Sequence, residues 1–164
     1  IDGRGIENFD GKARGRVPIQ EILSQSLNMG AVHVMEKLGK TQMRDYFHKY
    51  AFAEKTNIDL PNEAVGNLKN LDSSRLIEYA TASFGQGINM TPLALARALS
   101  SLGNGGLLVT PYIVEEVRYA NGLTQQKKVA EPKRVLKEET SKTITRMLVE
   151  VVDTKLAGGH GKIP

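Results

Sequence analysis

The chain has 164 residues, about one domain's worth, with 40% hydrophobic and 24% charged residues, the proportions of a folded globular protein. A net charge of +4 comes from Lys and Arg spread along the chain, and the densest basic patch (Lys127, Lys128, Lys133, Arg134) has no interleaved aromatics, so no nucleic-acid partner is expected. The absence of Cys excludes disulfides, thiolate metal sites and a cysteine nucleophile, and with only 5% aromatic residues and no Trp the core must rest on Leu, Ile, Val, Ala and Met.

No apolar run approaches the roughly 18 residues needed to span a bilayer, and no signal peptide is visible. The chain opens on Ile1 rather than Met, which predicts a piece of a longer protein whose targeting information lies upstream.

In chain order, residues 1–16 are Gly-rich and charged and read as an irregular loop. Pro18 suits the first turn of a helix carrying Ile19, Ile22 and Leu23. A second helix is predicted over 29–38, with Ala31, Val34, Met35 and Leu38 on one face and Gly39 ending it. Thr41 is placed as the cap of a third helix reaching about Tyr50. Residues 51–71 read as a long loop around Ile58-Asp59-Leu60-Pro61, followed by a short helix capped by Asp72 or Ser73 and ending near Ala80 or Thr81.

Thr91-Pro92 opens the clearest helix, with Leu93, Leu95, Ala96, Leu99 and Leu102 apolar; it stops at Gly103-Asn104-Gly105-Gly106 and is expected to be among the best-buried elements. Two β-rich runs follow, around 109–119 and 125–129, joined by Asn121-Gly122, which predicts a hairpin with a type I′ turn. A final amphipathic helix is predicted from Glu138 to about Thr154, and LAGGHGKIP reads as a flexible Gly-rich loop. No internal repeat or low-complexity tract interrupts this order.

Generic motifs fail on inspection. Gly161-Lys162 lacks the upstream glycine of a phosphate loop, since Leu156 stands there, and has Ile163 where Ser or Thr belongs. Gly85-Gln86-Gly87 has Met90 in the third glycine position of a dinucleotide fingerprint. His33, His48 and His160 have no ligand spacing, and neither metal nor cofactor is expected. Glu115 and Glu116 are adjacent, so on a strand they point to opposite faces and make a poor acid–base pair.

Ser24-Gln25-Ser26-Leu27-Asn28-Met29-Gly30 interrupts two apolar helical faces with small polar residues. Read alone, these could simply be turn and cap residues. The functional reading is a Ser-x-Asn pair, Ser26 and Asn28, pointing into one cleft, the serine to relay a proton and the amide to offer both a donor and an acceptor to a peptide.

The wider context resembles the penicillin-binding transpeptidases in their monofunctional (class B) branch. The stretch GRVPIQEILSQSLNMGAVHVMEKLG at 15–39 resembles the region of that family's second active-site motif, and TNIDLPNEAVGNL at 56–68 and SFGQGINMTPLALARALSSLGNGGLLVTPYIVEEV at 83–117 resemble it further on, in the expected order. By this resemblance Ser26 is the motif serine that assists proton transfer, and Asn28 the asparagine that orients the general-base lysine and hydrogen-bonds the substrate amide. Phe84, Gly85, Gln86 and Gly87 match a segment near the cleft with no assigned chemistry.

The family's other two motifs, S-x-x-K and K-T-G, do not occur: no Ser in the chain has Lys three residues on. The resemblance therefore implies a partial transpeptidase domain over 1–164, mainly α, the helical subdomain of the penicillin-binding/β-lactamase-like fold with a small β-hairpin. The five-stranded sheet should be largely absent, leaving apolar surface uncovered.

It further implies a fragment of a peptidoglycan D,D-transpeptidase, inactive alone. The parent would be anchored to the cell membrane on its extracytoplasmic side, with the peptidoglycan stem peptide, β-lactams, and cell-division or elongation proteins as partners. Two alternatives stand beside this reading: a β-lactam sensor or β-lactamase relative, and a non-enzymatic helical interaction module.

Overall fold

The structure, a computed structural model, describes residues 1–155. It is mainly helical. Helices α1 (Ile19–Ser24), α2 (Asn28–Leu38) and α3 (Lys40–Lys49) follow one another closely, a 3-10 turn at Lys69–Asp72 precedes α4 (Leu76–Ala82), and α5 (Pro92–Gly103) and α6 (Glu138–Thr154) frame the second half. Four short strands form two separate antiparallel pairs: β1 (Leu107–Leu108) with β4 (Lys133–Arg134), and β2 (Glu116–Arg118) with β3 (Thr124–Gln126). The β2–β3 hairpin is the expected one. The β1–β4 pair was not foreseen, because two-residue strands far apart in sequence carry no periodic signal. The expected loop at LAGGHGKIP, with His160, lies outside the described residues.

The main core is built where α2, α3, α4 and the 3-10 turn meet: Val32 and Met35 from α2, Met43 from α3, Tyr79, Ala80 and Ala82 from α4, with Leu68 and Leu71. Phe47 and Phe52 seal its edge with ring centroids 5.4 Å apart. The buried Tyr79 hydroxyl donates to the Leu71 carbonyl, so its polar end is satisfied inside the core. A smaller cluster joins Ala51, Leu108 and Val135.

Several boundaries differ from the sequence reading by identifiable causes. Pro18 is the residue before α1, not its first turn. Thr41 does not cap α3. Gly39, at φ 86°, ends α2 and starts α3 at once, a backbone conformation that favours glycine. Neither Asp72 nor Ser73 caps α4; Asp72 closes the 3-10 turn, and Ser73 Oγ accepts from Arg75 N–H at 3.1 Å. The carboxylate of Asp2 reaches the α4 N-terminus instead, accepting from Ile77 N–H at 2.9 Å.

The hairpin turn is also not type I′. Gly122 has φ 84° but Asn121 does not have positive φ. Gly122 N–H donates to the Tyr119 carbonyl at 3.0 Å and Tyr119 N–H to the Leu123 carbonyl at 2.8 Å, which is a three-residue loop with a glycine bulge.

Expected to be well buried, α5 is not. Leu95 and Leu99 are 41% and 55% exposed, and its inward face is Ala94, Ala98 and Ser101. Those small residues sit at i, i+4 and i+7, a helical stripe that lets β1 and its surroundings approach closely. The larger Leu face joins Leu148, Val149 and Val152 of α6 along an open apolar groove. The two helices are tied by polar contacts: Ser141 Oγ and Thr145 Oγ1 each donate to the Leu102 carbonyl at 2.6 Å, satisfying a backbone acceptor in the last turn of α5. At the other end, Thr91 Oγ1 accepts from Ala94 N–H at 3.1 Å, the cap foreseen from Thr91-Pro92.

Carboxylates organise the long loop before α4. Glu63 accepts from Thr56 N–H, Thr56 Oγ1 and Asn57 N–H at 2.7, 2.6 and 3.1 Å. Asp59 accepts from Ile113 and Val114 N–H at 2.9 and 3.0 Å, tying the loop to the root of the hairpin, with Lys127 3.5 Å away.

Candidate functional site

The junction between α1 and α2 places Ser26 and Asn28. Leu27 N–H donates to the Ile22 carbonyl at 3.0 Å and Ser26 N–H to the Leu23 carbonyl at 3.2 Å. These are the paired bonds of a Schellman motif, whose left-handed position is normally a glycine. Ser26 holds that position with φ 51°. For an L-residue this conformation costs about 1–2 kcal/mol, so the serine stands where backbone geometry alone would select glycine. The buried Leu27 closes α1 and immediately precedes α2. Three residues on, Gly30 lets the helices meet: a Cβ there would lie 2.6 Å from Ile22 Cγ1 and 2.7 Å from its Cγ2.

Neither the Ser26 nor the Asn28 side chain acts as a local cap, although the Ser26 backbone closes α1. Leu27 occupies the N-cap of α2 and no side chain of the junction bonds the helix start. Asn28, half-buried, sends Nδ2 to the Glu7 carbonyl at 3.0 Å. It lines a cleft of about 270 Å³ with Arg4, Glu7, Ile77, Thr81, Phe84 and Gln86. Ser26 is exposed beside the junction and is not part of that lining. The structure thus brings Asn28 to the Phe84–Gln86 segment, while the single concave surface expected to hold both Ser26 and Asn28 is occupied by Asn28 alone.

The second wall of this cleft follows from the end of α4. Gly85 at φ 88° and Gly87 at φ 76° turn the chain back, with Gln86 N–H donating to the Thr81 carbonyl at 3.0 Å. Gly87 packs against the Asn70 amide, where a Cβ would lie 2.6 Å from Nδ2. Thr81 Oγ1 is committed to the Ile77 carbonyl at 3.0 Å.

A segment that the sequence presented only as a loop underlies the junction. Asn8, 6% exposed, accepts at Oδ1 from Met29 N–H at 3.1 Å and donates Nδ2 to the Lys12 carbonyl at 2.8 Å. Arg14 Nε donates to Gln25 Oε1 at 2.8 Å, and its guanidinium pairs with Asp10 at 2.5 Å. That hydrogen bond, with one from Lys12 N–H, holds the Asp10 carboxyl below its ordinary value. No sequence signal marks Asn8 or Arg14, because contacts spanning 21 and 11 residues through an irregular loop have no period.

Comparison with known proteins places this geometry in a family. The chain belongs to the penicillin-binding protein transpeptidase domain family, whose description matches residues 2–164. It is 36% identical over 157 residues to stage V sporulation protein D of Bacillus subtilis (strain 168), covering 93% of this chain and 24% of that protein. It is 29% identical over 147 residues to the probable peptidoglycan D,D-transpeptidase PenA of Neisseria gonorrhoeae, covering 88% and 23%. Among solved structures, penicillin-binding protein 3 from Mycobacterium tuberculosis complexed with aztreonam superposes with a TM-score of 0.77 at 25% identity, over 81% of this chain and 30% of that one. The chain spans about a quarter of the length of the curated relatives it matches.

Proposed function

We propose that these residues form the central part of a peptidoglycan D,D-transpeptidase domain, lacking the S-x-x-K segment upstream and the K-T-G strand downstream. The observation that carries this reading is the cleft in which Asn28 meets Phe84 and Gln86. Two stretches that resemble the family separately in sequence converge there, within a chain that matches the family along nearly its whole length.

The reaction is acyl transfer. A serine outside this chain attacks the D-Ala-D-Ala carbonyl and expels D-Ala, and the acyl group passes from that serine to an amine of a neighbouring stem peptide. β-Lactams acylate the same serine. Asn28 serves through its amide: Nδ2 has one hydrogen committed to Glu7, leaving its second N–H and Oδ1 for the lysine base and the substrate amide. Ser26 relays a proton near the nucleophile. No metal or cofactor takes part. The parent is anchored in the membrane with this domain on the extracytoplasmic side; among the described residues no helix is long and apolar enough to cross a membrane. Cell-division or elongation proteins are its partners.

The chase after penicillin labelling of the full-length protein tests this reading. A transpeptidase keeps its acyl-enzyme through the chase. Rapid turnover with release of hydrolysed penicillin would point to a β-lactamase relative, and no labelling at all would favour a non-enzymatic module.

A further inference from the structure

Resting on the role proposed for Asn28, we infer that Asn8 is a positioning residue for the Ser-x-Asn turn, holding the Asn28 amide in its working orientation. Helix α2 has no cap of its own, since Leu27 carries no polar side-chain atom at its N-cap. Asn8 supplies that cap from 21 residues upstream, through Oδ1 to Met29 N–H at 3.1 Å. Its other end is fixed as well, Nδ2 to the Lys12 carbonyl at 2.8 Å, and the side chain is buried. An amide satisfied at both ends and shielded from water has one orientation.

The consequence falls on the neighbouring residue. Glu7, directly before Asn8, presents the carbonyl that accepts from Asn28 Nδ2 at 3.0 Å. Two consecutive residues therefore grip two consecutive residues of α2: Asn8 the backbone of Met29, Glu7 the side chain of Asn28. On the other flank of the turn, Arg14 of the same segment holds Gln25 at 2.8 Å. The Ser-x-Asn turn is braced before and behind by residues 7–14. Without Asn8, the Glu7 carbonyl loses its fixed place, and the Asn28 amide can rotate about its side-chain bonds. A misplacement of about 1 Å at a reacting group costs up to about 100-fold in rate, so a partial loss of order predicts a fall of about tenfold or more.

The test uses the full-length protein and a fluorescent penicillin over a range of concentrations, which separates non-covalent affinity from the limiting acylation rate. Rates are expressed per folded molecule, from a thermal melt of each variant. Asn8→Ala should lower the limiting acylation rate by about tenfold or more with little change in affinity. Asn8→Asp keeps the acceptor for Met29 N–H but sets a buried carboxylate oxygen against the Lys12 carbonyl, so it should not restore that rate. Combining Asn8→Ala with Asn28→Ala should be no slower than Asn28→Ala alone, because Asn8 acts through Asn28. If Asn8→Ala does not fold, Asn8→Ser takes its place with the same expected fall.

A variant that melts lower yet acylates at the parental rate would reduce Asn8 to a structural cap and overturn the inference. So would an Asn8 effect that persists in full on top of Asn28→Ala. If Asn28→Ala by itself acylates at the parental rate, the proposed role of Asn28 has failed, and the positioning role falls with it; an Asn28→Ala defect with no Asn8→Ala defect rejects the positioning role alone.

Discussion

Leu27 donates its backbone N–H to the Ile22 carbonyl at 3.0 Å, closing α1 one residue before α2 begins, and the residue between the two helices that must turn left-handed for this to happen is Ser26, at φ 51°. Glycine would relieve a strain of about 1–2 kcal/mol there, against an unfolded-chain entropy of about 0.4–1 kcal/mol. Ser26→Gly should therefore stabilise the protein by about 0.5–1 kcal/mol in urea unfolding. Ser26→Ala keeps the strain and should not. Both lose the hydroxyl, so both should acylate more slowly in the full-length protein. A Ser26→Gly variant that is less stable than the parent would show that the junction does not store this strain.

Gly30 and Ile22 set how closely α1 and α2 pack. An alanine at 30 places its Cβ 2.6 Å from Ile22 Cγ1, and a β-branched side chain has little freedom to swing away. Gly30→Ala should cost about 1–3 kcal/mol. Adding Ile22→Ala should recover part of it, so the double variant will be less destabilised than the sum of the singles. Strict additivity in the unfolding curves would mean that the two residues do not meet as described.

Asp59 and Glu63 make the loop before α4 sensitive to acid. Backbone N–H bonds from Ile113 and then Val114 hold the Asp59 carboxyl below its ordinary value. At Glu63 burial pushes the carboxyl up, but the bonds from Thr56 and Asn57 outweigh it and the net displacement is downward. A depressed carboxyl stabilises the fold fully above its unfolded value of about 4 and loses that contribution as pH falls through the lower folded value. Melting temperature should thus be level near neutrality and decline below about pH 4, with protection of the Ile113 and Val114 amides from hydrogen exchange declining too. Asp59→Asn should show weaker protection at neutral pH and a flatter acid response. Equal acid responses in the variant and the parent would remove Asp59 from the account.

Local chemistry was readable in the sequence where a single element carries it. Thr91-Pro92 announced the start of α5, Glu138 that of α6, and Asn121-Gly122 the hairpin, because cap, helix start and turn are each encoded within a few residues. The facing of α5 was misread: Leu95 and Leu99 look like core residues until Ala94, Ala98 and Ser101 are seen to take the buried side, and hydrophobicity does not say which of two apolar stripes a neighbour will cover. In the candidate site, Ser26 and Asn28 were visible as a polar interruption of two helices. The strained backbone at Ser26 and the braces from Asn8, Glu7 and Arg14 were not, since they depend on how an irregular segment folds back across the junction.

In the function proposed above, residues 1–164 contribute the Ser-x-Asn part of a penicillin-reactive site and the nucleophilic serine lies outside them. The most direct measurement is to incubate both residues 1–164 and the full-length protein with a fluorescent penicillin and map any label by mass spectrometry. Residues 1–164 should carry no stable label, the full-length protein should be labelled at a serine outside them, and acylation should be slowed severely when Asn28 is replaced by Ala. A label on any serine within 1–164, or full-rate acylation of the Asn28→Ala variant, would contradict it.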